Sequence, residues 1–162
     1  MPRTVGIGHQ DFEQLIQANC FYVDKTEFIR EWWESGDVVT LTTRPRRFGK
    51  TLAMSMVEKF FSIEYQGRGD LFQGLSIWEE SSEGKSPAGP YDYRQLQGTF
   101  PVISLSFAKV KENSFPSARK QICQIIAEAY SRYGFLADSG LLDERERESF
   151  RGVSPEMEDY QA

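Results

Sequence analysis

Histidine occurs once and cysteine twice among the 162 residues, and this scarcity argues against whole classes of chemistry. His9 has no second His or Cys at ligand spacing, so it is read as a surface or satisfied polar residue rather than a zinc ligand. Cys20 and Cys123 are far apart and form no metal-like pair. They read as small buried hydrophobes in a reduced interior, with a disulfide between them the lesser alternative. No run approaches the ~20 apolar residues of a membrane span, and Met1-Pro2-Arg3-Thr4-Val5 leads into polar residues without an apolar signal core. A cytoplasmic protein with no membrane partner is expected. Positive charge is not in excess either: the formal net charge of −5 argues against nucleic-acid binding over the whole surface, which needs many Lys and Arg to neutralise phosphates. Apolar material is abundant. Hydrophobic residues make up 40% and aromatic residues 14% of the chain, ample for one domain with a single core.

The positive charge that exists is local. Val38-Val39-Thr40-Leu41-Thr42-Thr43 reads as a β-branched segment suited to a buried strand. It is followed by Arg44-Pro45-Arg46-Arg47-Phe48-Gly49-Lys50-Thr51, after which helical periodicity begins. A basic loop at a strand-to-helix junction is where a phosphate would sit, because the helix N-terminus offers unpaired N–H groups and the positive end of its dipole. Gly49 lets the backbone approach, Lys50 reaches the β- and γ-phosphates, and the Thr51 hydroxyl is the candidate Mg²⁺ ligand. The usual Gly five residues before Gly-Lys-Thr is replaced by Arg44. Pro45 fixes its own φ and pushes Arg44 toward extended geometry, so the loop must take a variant path. Arg46 and Arg47 add forked donors suited to phosphate oxygens. The nucleotide-binding set is therefore Arg46, Arg47, Phe48, Gly49, Lys50, Thr51 and Leu52. A solvated basic turn is the plainer alternative.

The run Thr43 to Leu52 resembles the signature of the AAA-ATPase-like family, a variant Walker A or P-loop. Three further pieces agree in order: Gly8 to Phe12, Tyr22-Val23-Asp24-Lys25-Thr26, and Pro101-Val102-Ile103-Ser104-Leu105-Ser106-Phe107. The resemblance spans roughly residues 5 to 133. It implies a P-loop NTPase-like α/β fold, a parallel sheet flanked by helices. It also implies ATP or another nucleoside triphosphate with Mg²⁺ as ligands. In that family a nuclease-like domain of the PD-(D/E)XK type commonly follows, which makes nucleic acid a partner through the longer protein.

Elsewhere the pattern is largely helical. Phe12, Leu15 and Ile16 follow Asp11 at helical spacing, and Phe21-Tyr22-Val23 is a brief extended segment. Asp24-Lys25-Thr26-Glu27 has the form of a capping box with Asp24 as N-cap, for a helix running to about Ser35 and closed by Gly36. The alternative is that Asp24 and Lys25 approach the nucleotide. A helix from Lys50 or Thr51 to about Glu64 buries Leu52, Met56, Val57, Phe60 and Phe61. Leu71, Phe72, Leu75, Ile77 and Trp78 form a small apolar cluster, and Ser81 to Pro90 reads as a loop. Arg68-Gly69-Asp70 is a turn. Val102 to Phe107 alternates as a second strand, and a helix with Pro116 in its first turn carries Ile122, Ile125, Ile126, Ala129 and Tyr133 on one face up to Gly134. Strand, helix, strand, helix favours a parallel sheet with covering helices. The domain assignment is 1–137 for the ATPase-like part and 138–162 for a charged helix, Asp143 to Glu148, with a frayed tail.

Hydrolysis needs an acidic residue at the end of an apolar strand and a group that orients water. Phe135-Leu136-Ala137-Asp138 is the nearest run, and it is short and lacks β-branching. The resemblance places the acidic strand after the 114–133 helix, so an incomplete sheet and an N-terminal portion of a longer domain are expected. Two function classes stand. One is nucleoside-triphosphate binding through the variant loop, with catalytic residues unknown and hydrolysis doubtful. The other is a non-enzymatic module whose Arg-rich loop grips phosphate or nucleic acid. Exposed sheet edges would favour an oligomer.

Overall fold

Aromatic burial organises the first part of the chain. The structure, a computed structural model, describes residues 4–6, 8–45, 47–79 and 92–155. Phe12, Phe60 and Phe72 are fully buried and Phe61 nearly so. Phe72 stacks on Phe12 with ring centroids 5.2 Å apart and meets Phe60 edge-on at 5.1 Å, arrangements that aromatic quadrupoles favour. Ile29, Met56, Leu71, Ile77 and Tyr93 complete the core, and Leu52, Val57, Trp32 and Trp33 pack against it. The apolar spacing seen in the sequence is thus a real core pattern in the helices and in the cluster around Leu71.

The chain falls into two compact units, Met1–Val102 and Ile103–Ala162. In the first, β1 (Thr4–Val5) pairs in parallel with β2 (Cys20–Phe21), with Thr4 opposite Cys20 and Val5 opposite Phe21. Between them lies α1 (Phe12–Gln17), capped by the Asp11 carboxylate, which accepts from the Gln14 N–H at 2.9 Å. Helix α2 (Glu27–Ser35) ends on Gly36 at φ 63°, the left-handed conformation a glycine adopts without a Cβ penalty. Helix α3 (Lys50–Phe61) is followed by a 3₁₀ turn, Ile63–Tyr65, and the 3₁₀ helix Gly69–Phe72 leads into the short α4 (Ser76–Glu79). The C-terminal end of α3 is tied to the 98–100 segment: the Gly98 N–H donates to Phe60 O at 2.8 Å and the Phe100 N–H to Phe61 O at 2.9 Å.

In the second unit, α5 (Phe115–Arg132) starts on the Ser114 cap with Pro116 in its first turn, and α6 (Glu144–Gly152) starts on an Asp143–Glu146 capping box. Tyr130 and Phe150 bring these helices together with ring centroids 4.9 Å apart. The apolar stripe of α5 is only half covered: Ile125, Ile126 and Ala129 are part-buried and Ile122 is exposed.

Several sequence expectations are corrected. The described residues form a mixed structure of helices with a two-stranded parallel sheet, compatible with an α/β class, but that sheet is built from 4–5 and 20–21. Neither 38–43 nor 102–107 is a strand. Val38, Val39 and Leu41 are 99%, 84% and 83% exposed, and Ile103, Leu105 and Phe107 are exposed as well. β-branched residues favour a strand when a partner supplies the ladder and covers one face; most apolar side chains of these two segments stay exposed, although Val102 packs against the core. The helix after Lys50 ends at Phe61, not Glu64. Phe135-Leu136-Ala137-Asp138 belongs to a 3₁₀ helix, Gly134–Asp138, so it is not the acidic strand. The expected 81–90 loop lies outside the described residues.

Replacing Phe72 with Ala should destabilise the first unit by about 3–5 kcal/mol, the usual cost of emptying a buried Phe site. Urea unfolding followed by tryptophan fluorescence checks this, since Trp78 stacks on Phe72 at 6.5 Å.

Candidate functional site

Helix α3 begins at Lys50, directly on the Gly-Lys-Thr run. Its N-cap is Gly49 at φ 74° and ψ 21°, with no side-chain cap. The first intrahelical bond runs from the Ala53 N–H to Gly49 O at 2.9 Å. The N–H groups ahead of it therefore point out of the helix end, where the dipole is positive. Arg47 is also left-handed, at φ 68°, which costs a residue with a Cβ about 1–2 kcal/mol. The sharp reversal that puts Gly49 at the helix start thus uses two left-handed residues in three.

Lys50 folds back over the loop. Its ammonium donates to Arg44 O and, at 3.1 Å, to Pro45 O. The loop is thereby closed into a ring around the lysine stem, and Thr42, Thr43, Arg44, Pro45 and Lys50 line an open concavity of ≈ 450 Å³. The Thr51 side chain is exposed and makes no hydrogen bond among the described residues. Phe48 is 60% exposed, Arg47 is exposed, and Leu52 packs on the core. Arg46 lies outside the described residues. The structure thus brings Gly49, Lys50, Thr51 and the Arg44 and Pro45 carbonyls together. The role of those two carbonyls was not legible in the sequence, because a backbone acceptor leaves no residue signature.

The helix bearing this end is held firmly from below. The Phe12 N–H donates to Ser55 Oγ at 3.0 Å, and Ser55 in turn donates to Asp11 Oδ2 at 3.4 Å. Lys59, almost fully buried, pairs with Asp11 Oδ2 at 2.9 Å and donates to the Tyr65 hydroxyl at 3.1 Å. Burial pushes the Asp11 carboxyl up, but the Lys59 ammonium and the Gln14 and Ser55 donors outweigh it and hold the carboxyl below its ordinary value. Burial likewise pushes Lys59 down, and Asp11 and Tyr65 reverse that, so the ammonium is held more firmly than usual. Tyr22, whose hydroxyl donates to Met56 Sδ at 3.3 Å, is pushed up to about 12 by burial.

The Asp24-Lys25-Thr26 segment approaches the same helix end. Asp24 is not the N-cap expected for α2. That place is Thr26, and it makes no side-chain cap bond. Instead Asp24 Oδ1 accepts from the Thr26 N–H at 2.8 Å and the Thr26 hydroxyl at 2.7 Å. Its Oδ2 accepts from the Ser76 N–H at 2.7 Å and the Ser76 hydroxyl at 2.9 Å. Thr26, fully buried, accepts from the Ile77 N–H at 3.2 Å. The residue between these two anchors is Lys25, and a Cβ placed on Gly49 would lie 3.9 Å from its Nζ.

Among the described residues no cluster of three or more His, Cys, Asp or Glu is placed to hold a metal. Asp138 is paired with Arg151 at 2.7 Å. No helix among them is long and apolar enough to cross a membrane.

A Gly-Lys-Thr run thus stands at a helix N-terminus within a mixed helical and parallel-sheet structure. The comparisons give the family. The model of a family described as "Predicted AAA-ATPase" matches residues 6–160, and the chain belongs to that family. An "Uncharacterized protein in vnfD 5'region" of Azotobacter chroococcum mcd 1 is 36% identical over 76 residues. The match covers 46% of this chain and 14% of the relative, so the chain spans a small part of that protein's length. No solved structure matches.

Burial pushes the Asp24 carboxyl up, and its four donors outweigh that and hold it below the ordinary 3.8. A carboxyl depressed in the folded state stabilises above its unfolded pKa and loses that contribution as pH falls through the folded value. Thermal stability of the chain should therefore fall below about pH 4. Asp24→Asn should cost about 1 kcal/mol at neutral pH, a modest figure for a part-solvated carboxylate, and should remove part of the acid-side fall. Melting curves between neutral pH and strong acid check both.

Proposed function

We propose that this chain binds a nucleoside triphosphate, ATP foremost, through the 44–52 loop as a variant P-loop. The observation that carries the reading is the Lys50 ammonium held over the Arg44 and Pro45 carbonyls at the start of α3. That arrangement closes the loop at the start of α3, beside an open concavity lined by Thr42, Thr43, Arg44, Pro45 and Lys50. Membership of the Predicted AAA-ATPase family supports it.

The residues fit a phosphate chain. Gly49 leaves its backbone open, the first N–H groups of α3 supply donors, and Lys50 supplies a mobile cation that can exchange carbonyl partners for phosphate oxygens. Arg46 and Arg47 are the proposed clamps, with Phe48 and Leu52 completing the loop's run into the helix. For Mg²⁺ this chain offers the Thr51 hydroxyl, and the remaining ligands would be phosphate oxygens and water, the usual surroundings of a nucleotide-bound Mg²⁺. When bound, the ion would neutralise phosphate charge. The protein's share is positioning and charge, with no covalent step. The P-loop NTPase-like sheet and the nuclease-like partner domain belong to this reading as properties of the longer protein.

Calorimetry with Mg-ATP tests it. The wild-type chain should bind, Lys50→Ala should weaken binding roughly 10–100-fold, equivalent to the ~1.5–3 kcal/mol of a hydrogen bond to a charged group, and Thr51→Ala should abolish the Mg²⁺ dependence. If tripolyphosphate and DNA bind as tightly as ATP regardless of Mg²⁺, and added salt removes all three alike, the loop is a general polyanion patch.

A further inference from the structure

We propose that Lys25 is a second phosphate ligand of this site, delivered from outside the loop by the anchored Asp24–Thr26 turn. The inference rests on the nucleotide reading and extends it to a residue outside the Gly-Lys-Thr motif.

Three observations carry it. The first is position: the Lys25 ammonium lies beside Gly49, 3.9 Å from where a Cβ there would be. A cation is disfavoured at the positive end of a helix, and this one shares that end with Lys50. An anion between them removes the conflict.

The second is the lack of another task. Lys25 is exposed, and among the described residues its ammonium has no carboxylate or hydrogen-bonding partner. Arg44 and Arg47 are likewise without a carboxylate among the described residues. Where the chain needs a lysine for structure, as at Lys59, it supplies both an acid and a hydroxyl.

The third is fixation. Asp24 accepts four hydrogen bonds, two of them from Ser76, and Thr26 accepts from Ile77, residues fifty or so positions along the chain. The Lys25 Cα therefore lies between two neighbours anchored by hydrogen bonds, which leaves mainly its side chain to be ordered on binding. A cation prepared in this way loses little freedom when it meets a phosphate. The split of labour follows. Lys50 exchanges the Arg44 and Pro45 carbonyls for phosphate oxygens on the loop side, and Lys25 meets the phosphates from the Gly49 side.

The test is calorimetric titration of the full 162-residue chain with Mg-ATP and, separately, Mg-tripolyphosphate. The proteins compared are wild type, Lys25→Ala, Lys25→Arg and Lys50→Ala. Lys25→Ala should weaken both ligands about tenfold, the size of one lost charge-assisted contact, and Lys25→Arg should recover most of the loss. Circular dichroism and melting temperature of Lys25→Ala should match wild type, because the ammonium holds nothing in the protein. Lys25→Ala binding like wild type while Lys50→Ala fails would overturn the inference and leave the nucleotide site standing. So would a deficit that disappears at ~0.5 M salt, which marks a long-range field rather than contact. Wild-type chain that binds neither ligand would overturn the nucleotide reading itself.

Discussion

Helix α3 carries the core at one end and the 44–49 loop at the other, and the burial of Met56, Phe60 and Phe61 fixes where the loop end points. These three side chains share a face with Leu52 and Val57, so rotating or sliding the helix would expose apolar surface along its length. The Asp11–Ser55–Lys59 group ties its flank to α1, and the Gly98 and Phe100 N–H groups hold its C-terminal carbonyls. A site built on a helix locked at that many points is held more rigidly than one carried by loops alone. The loop can then afford left-handed residues at Arg47 and Gly49.

The second constraint is electrostatic. The chain is acidic overall, at −5, yet Lys25, Arg44, Arg47 and Lys50 belong to one segment pair around a helix N-terminus, and none has a carboxylate partner among the described residues. Several cations elsewhere are compensated: Arg68 bridges Glu13 and Asp70, Lys59 meets Asp11, and Arg151 meets Asp138. Uncompensated like charge gathered where a helix dipole is already positive is costly without an anion and useful with one. The Asp24 carboxylate does not quench it, since its oxygens are occupied by Thr26 and Ser76. The same bonds place Lys25 at the loop.

Features set by neighbours in the chain were readable from the sequence, and features set by distant partners were not. Although the Asp143–Glu146 capping box was not read, the helix starts near Asp11 and Ser114, the Gly36 terminus and the charged helix from Asp143 are set within a few residues and were anticipated. So was the helix starting at Lys50, and so was the apolar cluster at Leu71, Phe72 and Ile77. Asp24 was read as a local cap because its spacing to Glu27 suited one, whereas half of its hydrogen bonds go to Ser76, which no local pattern reveals. The 38–43 and 102–107 segments have strand composition, but a strand is a property of a pair, and their exposed Val38, Val39, Ile103 and Leu105 show no described neighbour supplying the other half. In the candidate site the sequence points to Gly49, Lys50 and Thr51, and the fold sets them at the start of α3. The backbone acceptors of Lys50 and the left-handed Arg47 emerged only with the folded loop.

The central claim is that the start of α3 and the ammonium beside Gly49 form one anion site. Titrating isotopically labelled chain with Mg-ATP while recording backbone amide and lysine side-chain resonances tests it most directly. The account predicts saturable shifts concentrated at Gly49, Lys50, Thr51 and Leu52, with the Lys25 and Lys50 side chains moving at the same midpoint and α5 and α6 unmoved. Shifts scattered over every exposed Lys and Arg without saturation, or no shift at Gly49 to Leu52, would contradict it.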